Sequence, residues 1–146
     1  MTTTRHDMMP AFPADLAAKY RAHGMWKDRT IAAELSAVAA RFPDADAVVA
    51  REGRRTYREL DEQTDRIGAG LLALGLLPGD RVLFQVTNRL ESVIAWYACL
   101  KAGLVPVATL AAHRGHEIEQ ISRQSQAAAH LVEVTETGFD LVRFAL

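Results

Sequence analysis

The chain reads as an α/β protein: βαβ units with a mainly parallel sheet, preceded by helices and a short β-hairpin. Three observations predict this. From Arg81 onward the order is strand, helix, strand, helix, strand, and connections of helical length return the chain parallel to its previous strand. Val82-Leu83-Phe84 and Leu131-Val132 are apolar without alternation, as strands covered on both faces tend to be. Ahead of them, Glu52-Gly53 sits between two short strand-like runs, which marks a hairpin.

In chain order, residues 1–12 read as a flexible tail. Phe12-Pro13 opens a helix over 14–23, and Gly24 suits its left-handed close. Thr30 caps a second helix whose Ile31, Leu35, Val38 and Phe42 recur at helical spacing, and Phe42-Pro43-Asp44 ends it. Residues 47–50 and 54–56 form the hairpin. Thr56-Tyr57-Arg58-Glu59 fits a capping box, in which hydroxyl and carboxylate each satisfy the other residue's amide. The helix that follows places Leu60, Ile67, Leu71 and Leu74 on its apolar face and stops at Gly75. Pro78-Gly79-Asp80 turns into a strand over 81–86, Asn88 caps a helix over 90–102, and Gly103 ends it. A strand over 104–109 contains Pro106, which lacks an amide hydrogen and so disfavours a fully bonded central position. A helix over 116–126, a strand over 129–134 and a helix begun after Gly138 complete the order.

Composition narrows the function. At 146 residues the chain is one domain or part of one. Basic and acidic residues balance at 17 and 18, so no basic field points to nucleic acid. Cys99 is the only cysteine, which excludes an internal disulfide and a cysteine-rich zinc site, and its apolar helical setting reads as a buried, inert thiol. The start of the chain is polar, with Asp7, and lacks a signal-peptide core. No apolar run approaches the ~20 residues that span a bilayer. The expectation is a soluble cytoplasmic protein with no membrane partner.

Candidate sites are few. Gly68-Ala69-Gly70-Leu71-Leu72-Ala73 has the spacing of a dinucleotide fingerprint but lies inside a helix, where pyrophosphate has no strand-to-helix turn to meet. Close helix packing explains it instead. His113 and His116 with Glu117 or Glu119 lack the convergence of a metal site, and a solvated helix start explains them. Asn88 follows a parallel strand at the edge where open α/β sheets bind ligands, and Arg114 lies near a helix N-terminus that suits an anion. Asn88, His113 and Arg114 are the substrate-side candidates. Trp96, Tyr97 and Tyr57 read as core or interface aromatics. Ser36, Ser92, Ser122 and Ser125 all fall on helices, so no nucleophile elbow exists. No catalytic, cofactor-binding or metal-ligating residue is assigned.

Two segments carry a family resemblance. Arg55-Thr56-Tyr57-Arg58-Glu59-Leu60 and Leu100-Lys101-Ala102-Gly103-Leu104-Val105-Pro106-Val107 resemble the first two signatures of the adenylate-forming superfamily, the acyl-CoA synthetases and aryl-acid AMP ligases. The stretch from Phe12 to Arg21 with Gly24 and Trp26, and Ala112-His113-Arg114 followed by Glu117-Ile118, resemble 2,3-dihydroxybenzoate–AMP ligases; cyclic-acid–CoA ligases share much of this beginning. Ala111 departs from the proline usual in the aryl ligases. The superfamily's third signature, a Ser/Thr/Gly-rich phosphate loop ending in Pro-Lys, does not occur in this sequence.

The resemblance implies that residues 13–146 are an incomplete N-terminal AMP-binding domain, part of that domain's N-terminal subdomain. It implies a parent that activates a small carboxylic acid with ATP and magnesium and passes it to coenzyme A or to a carrier protein's phosphopantetheine thiol. Thr56, Tyr57, Glu59, Leu60, Lys101, Ala102, Gly103 and Pro106 are then signature scaffold, and none of these cofactors is expected to bind this chain alone. Unpaired sheet edges would invite a second copy. The alternative is a stand-alone, non-catalytic α/β binding or interaction module, whose mark would be Leu141, Phe144 and Leu146 packed onto the sheet.

Overall fold

The computed structural model describes residues 11–134 and 138–146. Most of the expected tail, residues 1–10, lies outside them; Phe12 packs its ring 4.8 Å from Trp26 and 6.0 Å from Tyr20. The elements are α1 (Ala14–Ala22), α2 (Ile31–Arg41), β1 (Asp46–Ala50), β2 (Gly53–Thr56), α3 (Tyr57–Ala73), β3 (Arg81–Gln85), α4 (Leu90–Lys101), β4 (Val105–Ala108), α5 (Gly115–Ser125), β5 (Ala129–Val132) and α6 (Leu141–Ala145).

β1 and β2 form the antiparallel hairpin, with Ala50 opposite Gly53. The second sheet is parallel, in the order β4-β3-β5. Pro106 sits opposite Val82 on an edge strand, where its missing amide leaves no ladder bond unmade. β3 lies between its neighbours, and Val82 to Gln85 are all buried. Its side chains divide by the pleat. Val82 and Phe84 join Cys99, Ala102 and Leu104 under α4. Leu83 faces Ile118 of α5 and Phe144 of α6 across the opposite face.

The capping box forms as the spacing dictates. The Glu59 amide donates to Thr56 Oγ1 at 3.3 Å and the Thr56 amide to Glu59 Oε2 at 2.8 Å. The Thr56 amide, and with it the Thr56 hydroxyl at 3.2 Å, donates to the Glu59 carboxylate and holds its carboxyl below the ordinary value.

Three expected helix features are corrected. On α3 the buried line is Leu60, Thr64 and Gly68, while Ile67 and Leu74 are exposed. The reason is close approach: a Cβ on Gly68 would lie 3.0 Å from the Ala98 carbonyl oxygen of α4, so small residues face that helix. Thr64 is tolerated there because its hydroxyl donates back to Leu60 O at 2.8 Å. On α2, Ile31 and Phe42 lie at the ends and are exposed, leaving Leu35 and Ala39 as the buried pair. Asn88 does not cap α4; Arg89 occupies the N-cap with no side-chain bond.

α3 and α4 are also pinned electrostatically. The Lys101 ammonium, 8 % exposed, reaches Asp61 Oδ1 at 2.6 Å, Asp65 Oδ1 at 2.7 Å and Asp61 O at 2.8 Å. Ser36 of α2 donates to Asp61 Oδ1 at 2.8 Å. Burial pushes the Asp61 carboxyl up, but the Lys101 and Ser36 hydrogen bonds and the Lys101 charge outweigh it, and the net shift is downward.

Candidate functional site

The strand order places the candidate site. The chain leaves β3 for β4 on one side, then crosses to β5 on the other. Such a reversal opens a crevice beyond the carboxyl ends of the strands. A cavity of about 660 Å³ lies there, within the size range of small-molecule pockets. Phe84 and Trp96 form its apolar interior, packed edge to face with ring centroids 5.3 Å apart. Val93 and Tyr97 of α4 continue that wall, and Val48 to Ala50 of the hairpin face it. The polar rim is Thr87, Asn88, Arg89, Ser92 and Thr109.

The rim is held by local bonds. Ser92 Oγ donates to Thr87 O at 2.7 Å. The Thr87 amide and hydroxyl donate to Glu133 Oε2 at 2.9 and 2.7 Å, tying the end of β3 to the end of β5. Arg89 Nε lies 3.6 Å from Glu52 and 3.7 Å from Glu91, so its charge is balanced by two loose, exposed partners.

The other half of this edge is the loop joining β4 to α5. Its Thr109 amide donates to Phe84 O at 3.1 Å. Inside the loop, Leu110 N donates to His113 Nδ1 at 3.3 Å. Arg114 Nη1 donates to Ala111 O at 2.9 Å and His113 O at 2.7 Å, and its guanidinium stands 4.0 Å from the centre of the Phe139 ring. Glu117 accepts from the Arg114 amide at 3.0 Å; that bond lowers its carboxyl pKa.

Asn88 lines the cavity with its side chain exposed, whereas His113 and Arg114 do not line it. The fold therefore brings the three candidates to one sheet edge without gathering them in one cavity. The signature residues lie away from this cavity: Thr56 and Glu59 in the capping box, Lys101 on its two aspartates, Gly103 at φ +71° against Pro78. Among the described residues no group of three or more His, Cys, Asp or Glu side chains could hold a metal ion. Cys99 is fully buried, and burial pushes its thiol up to about 11, which removes the thiolate a nucleophile needs. No described helix is long and apolar enough to cross a membrane.

Two residues at this edge escape sequence reasoning. Gln85 is fully buried at the end of β3 and donates its amide into the β4–α5 loop; its only signal is a polar residue closing an apolar strand. Glu133 bonds Thr87 across 46 positions of sequence, and no local pattern announces such a pair.

Comparison with known proteins agrees with this architecture. The family model described as "AMP-binding enzyme" matches residues 35–143. The salicyl-AMP ligase / salicyl-S-ArCP synthetase of Mycobacterium tuberculosis is 42% identical over 134 residues, 88% of this chain and 24% of that protein. The vibriobactin-specific 2,3-dihydroxybenzoate-AMP ligase of Vibrio cholerae is 37% identical over 140 residues, covering 96% of this chain and 25% of that one. The apo structure of Mycobacterium smegmatis MbtA superposes with a TM-score of 0.84 at 40% identity, over 88% of this chain and 24% of that chain. The chain thus spans about a quarter of the length of the relatives it matches, and corresponds to the N-terminal part of such ligases. On this evidence the chain belongs to the AMP-binding family of adenylate-forming enzymes.

Proposed function

We propose that this chain is the N-terminal portion of an ATP-dependent ligase that activates a carboxylic acid, and that residues 13–146 form an incomplete AMP-binding domain. The observation that carries this reading is the use made of the two signature segments. Thr56 and Glu59 cap α3, and Lys101 is held by Asp61 and Asp65 at 8 % exposure. The capping box and the buried lysine both serve the scaffold.

In the parent, an oxygen of the acid's carboxylate attacks the α-phosphorus of ATP, and the bond to pyrophosphate breaks. A thiol of coenzyme A or of a carrier protein's phosphopantetheine then attacks the acyl carbon of the acyl-adenylate, forming a thioester as the acyl–phosphate bond breaks and AMP leaves. The named relatives favour a small aryl acid. The residues present do not fit ATP and magnesium: the sequence has no Ser/Thr/Gly-rich loop ending in Pro-Lys, and the signature lysine is already neutralised. We expect this chain to be inactive alone. Asn88, His113 and Arg114 lie at the sheet edge that faces ligands in open α/β folds, and we assign that edge to the substrate side of the parent. ATP-dependent chemistry and a single reduced thiol suit a cytoplasmic setting. Pairing of two copies through an exposed sheet edge belongs to the same reading; light scattering showing a monomer at high concentration would remove it.

The test is a graft. This chain replaces the matching residues of the Mycobacterium tuberculosis salicyl-AMP ligase, and salicylate-dependent ATP–pyrophosphate exchange is measured. Exchange in the folded graft supports the reading, and a folded but inactive graft counts against it. A second reading, a stand-alone binding module, is favoured by the burial of Leu141 and the edge-to-face Phe139–Phe144 pair at 5.4 Å, although Leu146 is fully exposed. Saturable binding of an apolar acid to the isolated chain at the Phe84–Trp96 cavity would support it.

A further inference from the structure

We infer that Gln85 is a positioning residue: its buried carboxamide sets the shape of the loop over residues 110–114. The side chain is fully buried at the carboxyl end of β3. Its Nε2 donates to His113 O at 2.8 Å and lies 3.4 Å from both Leu110 O and Ala111 O. Two amide protons thus face three carbonyls, one in a short bond and two at the limit of contact. The reverse orientation would point an oxygen at three oxygens, so the chemistry of the loop fixes which end of the amide faces it.

The other end shows what the arrangement costs. Gln85 Oε1 is buried and has no hydrogen-bond partner among the described residues. A buried acceptor left unmatched is destabilising, and an apolar residue would avoid that penalty. What a glutamine adds at this position is its donation to the loop. His113 O receives a second donor, Arg114 Nη1, so the bond from Gln85 and the bond that orients Arg114 converge on one oxygen. The carboxamide thereby couples the strand end to the placement of both His113 and Arg114. The consequence for the ligase reaction rests on the proposed function, because it requires this sheet edge to face substrate; the latch itself does not.

Two measurements on the full chain test the latch. In the wild type, the Gln85 side-chain NH2 should exchange with solvent far more slowly than those of the exposed Gln120 and Gln124, read by NMR. Exchange at the rate of those exposed amides would overturn the proposal, whatever any variant does. The second uses Gln85→Glu with Gln85→Leu as reference. A glutamate carboxylate cannot donate, whereas its protonated form can give one bond to His113 O. The backbone amides of Leu110, His113 and Arg114 in Gln85→Glu should then exchange roughly tenfold faster than in wild type at neutral pH, the factor for losing about one hydrogen bond. Relative to wild type at the same pH, protection should recover as the solution is acidified through the carboxyl's titration. Gln85→Leu should show no recovery. Amides of β1 and β2 should be unchanged, which separates a loop effect from general loosening. A Gln85→Glu loop that stays as protected as wild type at every pH overturns the proposal. In the salicyl-AMP ligase graft, Gln85→Glu should lose and regain pyrophosphate exchange over the same pH range. A graft already inactive with Gln85 counts against the proposed function, and the free chain still decides the latch.

Discussion

Two glycines of one helix provide an internally controlled test of the α3–α4 interface. Gly68 and Gly70 both lie inside α3, so replacing either with alanine brings the same gain in helix propensity, about 1 kcal/mol. Their surroundings differ. A Cβ at Gly70 meets nothing within 4 Å, whereas one at Gly68 lies 3.0 Å from Ala98 O, 3.6 Å from Ala102 N and 3.7 Å from Ala102 Cβ. The closest atom is a backbone oxygen inside α4 and cannot rotate away, so the helices must separate by a few tenths of an ångström. Overpacking of this kind costs about 1–3 kcal/mol. Gly70→Ala should therefore be stabilising by up to about 1 kcal/mol. Gly68→Ala should range from neutral to about 2 kcal/mol destabilising once its propensity gain is subtracted. The separation between the two variants, about 1–3 kcal/mol, cancels the propensity term. Urea unfolding followed by circular dichroism reads it as a shift in midpoint at constant slope. Equal stabilisation by both substitutions would refute the close approach of the helices and with it the packing account of the Gly68-Ala69-Gly70 run.

Other consequences follow from single interactions. Lys101→Met leaves Asp61 without its cation and should cost about 1–2 kcal/mol, below the range for a fully buried pair because Asp65 is exposed; denaturant unfolding reads the loss, and no change would mean the three-way contact is idle. Because the Asp61 carboxyl is held below its ordinary value of 3.8, its contribution is present above that pH and is lost as pH falls through the lower folded value; Asp61→Asn should flatten this acid limb in unfolding measured against pH. Burial holds the His130 imidazole below its ordinary value of 6.5, so the stability tied to its neutral form is present above 6.5 and declines as pH falls through the folded value. His130→Gln should remove that slope, and a retained slope would point to another group. Cys99, buried with its thiol at about 11, should react with a thiol reagent at neutral pH only as fast as the chain opens; prompt labelling of the folded protein would contradict its burial.

How much of this was legible depends on the range of the interaction. The capping box at Thr56 and Glu59 needs only residues three apart, and spacing reveals it. Likewise Pro106 on an edge strand, the hairpin at Glu52-Gly53 and the crossover order after Arg81 follow from local chemistry. Helical spacing puts Ile31, Phe42, Ile67 and Leu74 on the apolar faces of α2 and α3, yet all four are exposed, because spacing alone does not show which part of a face meets a neighbour. Where two helices approach closely the buried residues are small, and Thr64 and Gly68 are hidden instead. The tie of Asp61 and Asp65 to Lys101 has no local signal, since the lysine lies 40 and 36 positions away. At the site, Asn88 was visible from its place after a strand but not its position on the cavity rim beside Ser92 and Thr109. Gln85 was invisible for the same reason as Lys101's partners: its meaning depends on a loop 25 to 28 positions distant.

The central claim is that this chain carries the scaffold of an acid-activating ligase without its nucleotide chemistry. Acid-dependent ATP–pyrophosphate exchange on the isolated, folded chain, with aryl, alicyclic and fatty acids, tests it most directly. No exchange is expected with any acid. Exchange above background with even one of them would mean that a phosphate site exists among residues to which none has been assigned.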